Sequence, residues 1–486
     1  MVLLGCGVPA TEGTSESGEH GSSEGGSGTG EVPTTGGGES TGEQTSGEQD
    51  ACGAGWSEDL ALGPEPVMVE GGLAVPIDVV DLSARFTLDV AGETTTVDAQ
   101  LTFRVGDRAG RPVFDLRQEP DAGDLDGVEL GGAEQGWLAT VDLGGGADAV
   151  MRALDREVEA CSEHVLTLRY TLVRPPGFAA DPPQFEEDGV SWDLAFNDLL
   201  PRMFLEQWLP ANLVHDRHKI SLTLAIVGGA ADQRVISNGE VTTRGAGVWE
   251  IGYPAGSTAQ SPMLVLAPAS EVASSSVTVD GVELAVHRTQ AFSEEPEAIL
   301  MILQEALATY VASTGEYLYP RFTAFVIKNA GMEYDGGTTT DITALPHEVF
   351  HSWFGRGVRP RRGGDGWIDE AWNEYSTTEP RFPAAPMSME TPPVTLCDEN
   401  PWRRTTPLTA YATGRAVFAG IAAEAGVAAL RASMREFYAA HAGATVTTEM
   451  LEQHLHCTLQ VKGVRSLFHR FVYGRPGEPE APLACP

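Results

Sequence analysis

Lysine is almost absent from this chain. Only Lys219, Lys328 and Lys462 occur in 486 residues, and neither Lys nor Arg precedes Arg85. Asp plus Glu outnumber Lys plus Arg by 69 to 31, so the formal net charge is −38. Such a surface repels phosphate backbones and anionic lipid, which excludes nucleic acid as a partner. Arginine stands where lysine would, beside much Ala, Gly and Val, a skew that reads as coding bias rather than function. No Cys-x-x-Cys pair occurs, so the cysteines do not form a metal frame. Beyond Cys6, five remain: Cys52, Cys161, Cys397, Cys457 and Cys485. An oxidising compartment would allow them two disulfides and one free thiol, with the pairing not set by spacing. No apolar run reaches the roughly 18 residues of a membrane span.

Large apolar residues are nearly missing from residues 7–55, which are almost wholly Gly, Ser, Thr, Glu and a few Gln, with nine acids and no Lys or Arg. Such a segment buries too little surface to offset its chain entropy and reads as an extended tether. Leu3-Leu4-Gly5-Cys6 before it resembles a bacterial lipobox, whose Cys is acylated. It lacks the positive start and the apolar run of roughly 7–15 residues of a secretory signal. The expectation is an extracytoplasmic, membrane-anchored bacterial lipoprotein, or else a secreted or periplasmic protein. The membrane is met only through a lipid anchor at Cys6.

What remains is long enough for roughly two to four domains. Residues 56–285 read as β-rich. Thr96–Val105, His164–Val173 and Lys219–Val227 alternate with period two between Gly, Asp and Pro turns. Near residue 290 the period becomes helical, with an apolar stripe at Ile299, Ile302, Leu303, Leu307 and Val311. A strand at Phe322–Ile327 precedes Gly331-Met332-Glu333-Tyr334. Helices are expected over 344–356 and 367–378. Residues 380–406 are Pro-rich and irregular. Further helices follow at 411–425, 427–441, 448–456 and 463–473. The fold class expected is α+β and multidomain: a lipobox remnant at 1–6, a linker at 7–55, a saddle or sandwich β domain at 56–285, a subdomain at 286–379 built on the helices at 344–356 and 367–378, and a helical part at 380–486.

The chemistry concentrates in HEVFHSWFG and the later run GWIDEAWNEY. His347 and His351 stand at i and i+4, about 40° apart on one helix face, so both imidazoles reach one ion. Glu348 lies beside them. Glu370 follows after eighteen intervening residues on the next helix. Two His and one carboxylate leave a tetrahedral Zn²⁺ a fourth position for water, which is the catalytic pattern. Pro346 suits a first helical turn, and Val349, Phe350, Trp353 and Phe354 mark a buried helix. Trp353, Trp367 and Trp372 read as core packing. Glu374, one turn beyond Glu370, is a candidate to orient a ligand His. His454 and His456 lack the carboxylate or Cys frame of a second metal site, and His215 and His218 read as surface groups.

These residues carry a resemblance. HEVFHSWFG, then eighteen residues, then Glu370 in WIDEAWNEY resembles the aminopeptidase N family of gluzincins, which includes leukotriene-hydrolase-type enzymes. Gly331-Met332-Glu333-Tyr334 resembles that family's Gly-x-Met-Glu strand, which recognises a free amine. Tyr411-Ala-Thr-Gly414 resembles its Tyr-x-x-Gly, whose Tyr assists catalysis. Weaker echoes are Val235–Gly239 and Phe471–Gly474, and Arg202–Pro210 matches loosely. The likeness covers about residues 75–475. It implies one Zn²⁺ on His347, His351 and Glu370, Glu348 as general base, Tyr411 on the oxyanion, and Glu333 with Gly331 and Met332 at the substrate amine. The expected function is a zinc aminopeptidase acting on peptides through a metal-activated water. The alternatives are an endopeptidase with an open cleft or a non-catalytic peptide-binding lipoprotein.

Overall fold

The computed structural model describes residues 52, 56, 58–131, 136–144, 146–177, 179–186, 189–228, 232–378, 383–479 and 483–485. The lipobox-like start and nearly all of segment 7–55 lie outside them. Period-two alternation becomes a large sheet. Its long strand Gly72–Asp89 pairs antiparallel with Thr94–Val105 and parallel with Lys219–Val227. Thr94–Val105 pairs in turn with Glu163–Thr171. The inward-facing residues, among them Phe86, Phe103 and Tyr170, are fully buried. A four-stranded sheet, Gln184–Glu186, Gly189–Asp193, Leu264–Pro268 and Gln233–Ser237, covers that core.

A third sheet of five strands follows. Its order is Val272–Val279, Val282–Thr289, Arg321–Val326, Gly337–Thr340 and Gly331–Tyr334. It therefore begins before residue 285, where the change of period set the boundary. The period marks the first helix, not the first strand of the unit that carries it. Among the described residues, seven α-helices accompany this sheet: α1 Pro296–Ser313, α2 Leu345–Phe350, α3 Trp367–Thr378, α4 Arg415–Ala425, α5 Val427–His441, α6 Thr448–Leu459 and α7 Gly463–Phe471. The chain is thus mixed α+β, with a β-rich first part and a helical end. Trp353, Trp367 and Trp372 are buried among these helices, as expected of packing residues.

Three expectations need correction. The α1 stripe is rotated: Ile299, Leu300, Leu303, Ala306 and Leu307 are buried, while Ile302 and Val311 face outward. The zinc-motif helix is shorter than 344–356. After Phe350 the backbone bonds tighten to i→i−3 at Ser352 and Trp353, and Gly355 at φ +105° turns the chain. His215 and His218 are buried rather than at the surface, and burial pushes both imidazoles down to about 4. They sit in an irregular connection that the first sheet covers, where sequence pattern gives no burial signal.

Among the described residues, two disulfides, Cys52–Cys161 and Cys457–Cys485, leave Cys397 free and buried. No single described helix is long and apolar enough to cross a membrane.

Candidate metal centre

Three ligand-type side chains converge where α2 meets α3. His347 Nε2 lies 3.2 Å from His351 Nε2. Glu370 Oε2 lies 3.6 Å from the first and 3.7 Å from the second. One turn of α2 sets the two imidazoles on one face, and α3 delivers Glu370 from its first turn. Glu370 Oε2 is buried with no hydrogen-bond partner among the described residues. A buried carboxylate oxygen left bare beside two imidazole nitrogens is the donor set a Zn²⁺ would satisfy. The other described clusters of metal-ligating type overlap this one, so His454 and His456 form none. His454 is instead taken up by the Ser433 carbonyl.

The partners of these ligands are specific. Asp369 Oδ1 meets His351 Nδ1 at 2.5 Å, which turns Nε2 toward His347 and Glu370. Gly355 makes room for it: a Cβ there would fall 1.9 Å from Asp369 Oδ2. The glycine that follows Trp353-Phe354 is thus needed for contact as well as for turning. Sequence reading missed Asp369, although it directly precedes a ligand. Asn373 Nδ2 donates to the His347 carbonyl at 2.9 Å and ties α3 to α2. Glu374 Oε1 stands 3.7 Å from His347 Nδ1, an ion-pair distance rather than a hydrogen bond. It also neighbours Arg415 and Thr378.

Tyr411 lies in a widened turn, Ala410–Gly414, that leads into α4. Its hydroxyl donates to Glu370 Oε1 at 2.7 Å. A Cβ on Gly414 would stand 2.4 Å from the Ala371 Cβ, so only glycine lets this turn close on α3. That gives the Tyr-x-x-Gly spacing a steric reason. Burial, with Glu370 next to it, pushes the Tyr411 phenol well above its ordinary range.

Glu348 is buried and faces the edge strand. A Cβ on Gly331 would lie 2.7 Å from Glu348 Oε1, so the glycine leaves the carboxylate its space. Burial pushes the Glu348 carboxyl up to about 7. In the same strand Met332 and Tyr334 pack into the first core, while alternation turns Gly331 and Glu333 to the site. Of the thirteen residues between Glu333 and His347, Tyr334–Thr340 make a tight hairpin through Asp335 and Gly336, and Leu345 and Pro346 already belong to α2. Asn238 Nδ2 holds that hairpin by the Asp335 carbonyl at 2.8 Å, and Ser261 and Arg359 hold its carboxylate, each at 2.6 Å. The echo at Val235–Gly239 thus has a mechanical role.

Glu333 is not free. Arg356 Nη2 donates to its Oε1 at 2.7 Å, and Arg356 Nη1 donates to Gln260 Oε1 at 2.8 Å. A second carboxylate, Asp198, comes from the first part of the chain, its carbonyl accepting from Thr406 N at 2.9 Å. Oxygens of Asp198, Glu333 and Glu370 lie within 4.8 Å of one another. Burial, and the Glu333 and Glu370 carboxylates beside it, push the Asp198 carboxyl well above its usual range. Neither Arg356 nor Asp198 carries a local sequence signal; tertiary contact alone brings them here.

The fold is that of the M1 zinc metallopeptidases. An M1 zinc metallopeptidase from Deinococcus radiodurans is similar over 83% of this chain and 95% of its own, with TM-score 0.58 and 17% identity. Aminopeptidase A of Legionella pneumophila, solved with aspartic acid, matches 82% of this chain and 49% of its own, with TM-score 0.60 and 12% identity. Native yeast LTA4 hydrolase matches 84% and 69%, with TM-score 0.58 and 13% identity. No protein-family model matches the chain, and no curated protein matches it.

Proposed function

We propose that this chain is a zinc-dependent aminopeptidase, with the five-stranded sheet, α2 and α3 as a thermolysin-like catalytic domain. The observation that carries the reading is the convergence of His347, His351 and the bare Glu370 oxygen beside a buried Glu348. Zn²⁺ bound by those three ligands would supply a Lewis acid and a water of lowered pKa. Glu348 accepts a proton from the attacking water and passes it to the departing amine, which suits a carboxyl whose pKa burial brings near neutrality. Tyr411 holds its hydroxyl at the rim of the site, where it can turn from Glu370 to the oxygen that gains charge. Asp369 fixes the His351 ring, and Gly331 keeps the space beside Glu348 open.

Asp198 and Glu333 form the acidic side of the cleft and would take a substrate ammonium. Peptide is the substrate class this supports, and a D. radiodurans M1 variant has been solved with Tyr-Ser-Ala. One observation favours a second reading, an endopeptidase: Arg356 already neutralises Glu333. A peptide panel with free and acetylated N-termini, assayed with zinc-replete protein, tests the choice. One-by-one cleavage of the free forms alone supports an aminopeptidase. Internal cleavage of both forms makes it an endopeptidase.

The extracytoplasmic lipoprotein is likewise a proposal. The two disulfides support an oxidising compartment. Labelling with a radioactive fatty acid, lost in Cys6→Ser, is the expected result; an unlabelled parent protein refutes the anchor.

A further inference from the structure

A cavity of about 510 Å³ opens between α1, α2, α3 and α5. That size is ordinary for a small-ligand site, typically about 300–1,000 Å³. It touches the metal triad through His347 alone, whereas Asp198 and Glu333 gather about His351 and Glu370. The cavity is therefore separate from the acidic side of the cleft. Phe350 and Trp372 give it an apolar wall, and Thr378 adds a hydroxyl.

Arg431 and Arg435 also line it. They are one turn apart on α5, so they lie on the same face of that helix. Both are exposed. Neither forms an ion pair among the described residues, and the one hydrogen bond of Arg435 is a 3.5 Å contact with the Ala312 carbonyl. In a molecule of net charge −38, most arginines near the site have found a carboxylate: Arg356 holds Glu333 and Arg359 holds Asp335. Two neighbouring cations without one repel each other, and an anion between them relieves that repulsion.

From the cavity, its contact with His347 and this unpaired cationic pair, we infer that the pocket receives the leaving end of the peptide and that Arg431 and Arg435 hold its C-terminal carboxylate. The inference rests on the peptidase reading and deepens it. Carboxylates on one side of the metal triad and arginines on the other match the two ends of a short zwitterionic peptide. The substrate class is then a short peptide with a free C-terminus, and the pocket acts as a ruler of length.

The test uses Leu-Ala-Ala as the free acid and as the C-terminal amide. Zinc-replete parent protein and the variants Arg431→Gln, Arg435→Gln and the double variant are assayed. Equilibrium binding of both peptides to Glu348→Gln protein is measured by calorimetry alongside. The acid should have a KM about tenfold below that of the amide at low salt, with kcat alike. The double variant should lose that preference through KM, and 0.5 M NaCl should shrink it. Equal KM values for acid and amide, or a preference that survives the double variant, overturns the carboxylate site. If neither peptide is hydrolysed but the acid still binds more tightly in an arginine-dependent way, the peptidase reading falls and the carboxylate site stands.

Discussion

His347, His351 and Glu370 meet because two helices adjacent in sequence bring them together, and their spacing alone sets most of the geometry. Glu333 and Asp198 meet because two separately built parts of the chain pack on one another, and spacing says nothing about it. On the metal side, Glu370 Oε2 is buried with no hydrogen-bond partner among the described residues. On the acidic side Glu333 already holds a cation, Arg356. A site can thus be half prepared for its ligand and half satisfied by the protein itself. On the proposed reading, the first half would supply the chemistry and the second would set what is recognised.

The sharpest way to break this contrast is at Glu348. Glu348→Gln should lower turnover by about 10²–10⁴-fold while leaving zinc content, read by metal analysis, unchanged. Near-parent turnover would remove Glu348 as the base and leave the metal side a binding site only.

The metal side was legible for a physical reason. The i, i+4 rule and the eighteen-residue gap are local, and both survive into the structure even though α2 proves short. Gly331, Gly355 and Gly414 were visible as motif letters, but their purpose was not. Each spares a contact with Glu348, Asp369 or Ala371 that no linear pattern encodes. Arg356 follows Trp353-Phe354-Gly355 directly, yet its pairing with Glu333 depends on the hairpin that carries Glu333. Asp198 lay in a stretch with no periodicity at all. The β-rich first part was read correctly from alternation, whereas the start of the third sheet was placed late because its first strands precede the change of period.

The next largest effect belongs to the satisfied half. Glu333→Ala leaves Arg356 buried without its carboxylate, which should cost about 3–5 kcal/mol of stability. Chemical denaturation measures it. A loss under about 1 kcal/mol would mean that Gln260 alone suffices for Arg356. Glu333 would then be held for recognition rather than for the fold.

Asp369→Asn probes the metal side more gently. The amide can still meet His351 Nδ1 but carries no charge, so zinc affinity should fall about 10–100-fold by competition against a chelator. Thermal stability of the metal-free protein should change little by comparison. An unchanged zinc affinity would reduce Asp369 to packing.

The smallest effect separates the two halves most finely. Asp198 is a buried carboxyl with acidic neighbours and no cationic hydrogen-bond partner among the described residues, so its ionised form is costly in the free protein. Asp198→Asn removes that cost, and melting temperature should stay level or rise, the reverse of Glu333→Ala. If Asp198 meets a substrate ammonium, the same change should raise KM for free-amine peptides about tenfold. Acetylated peptides, which bring no charge to that point, should be unaffected. A KM rise shared by both peptide forms would point to a disturbed cleft instead. A KM unchanged for both would leave Glu333, with Arg356 beside it, as the acidic side's remaining contact for an ammonium, and would shift the balance toward internal cleavage.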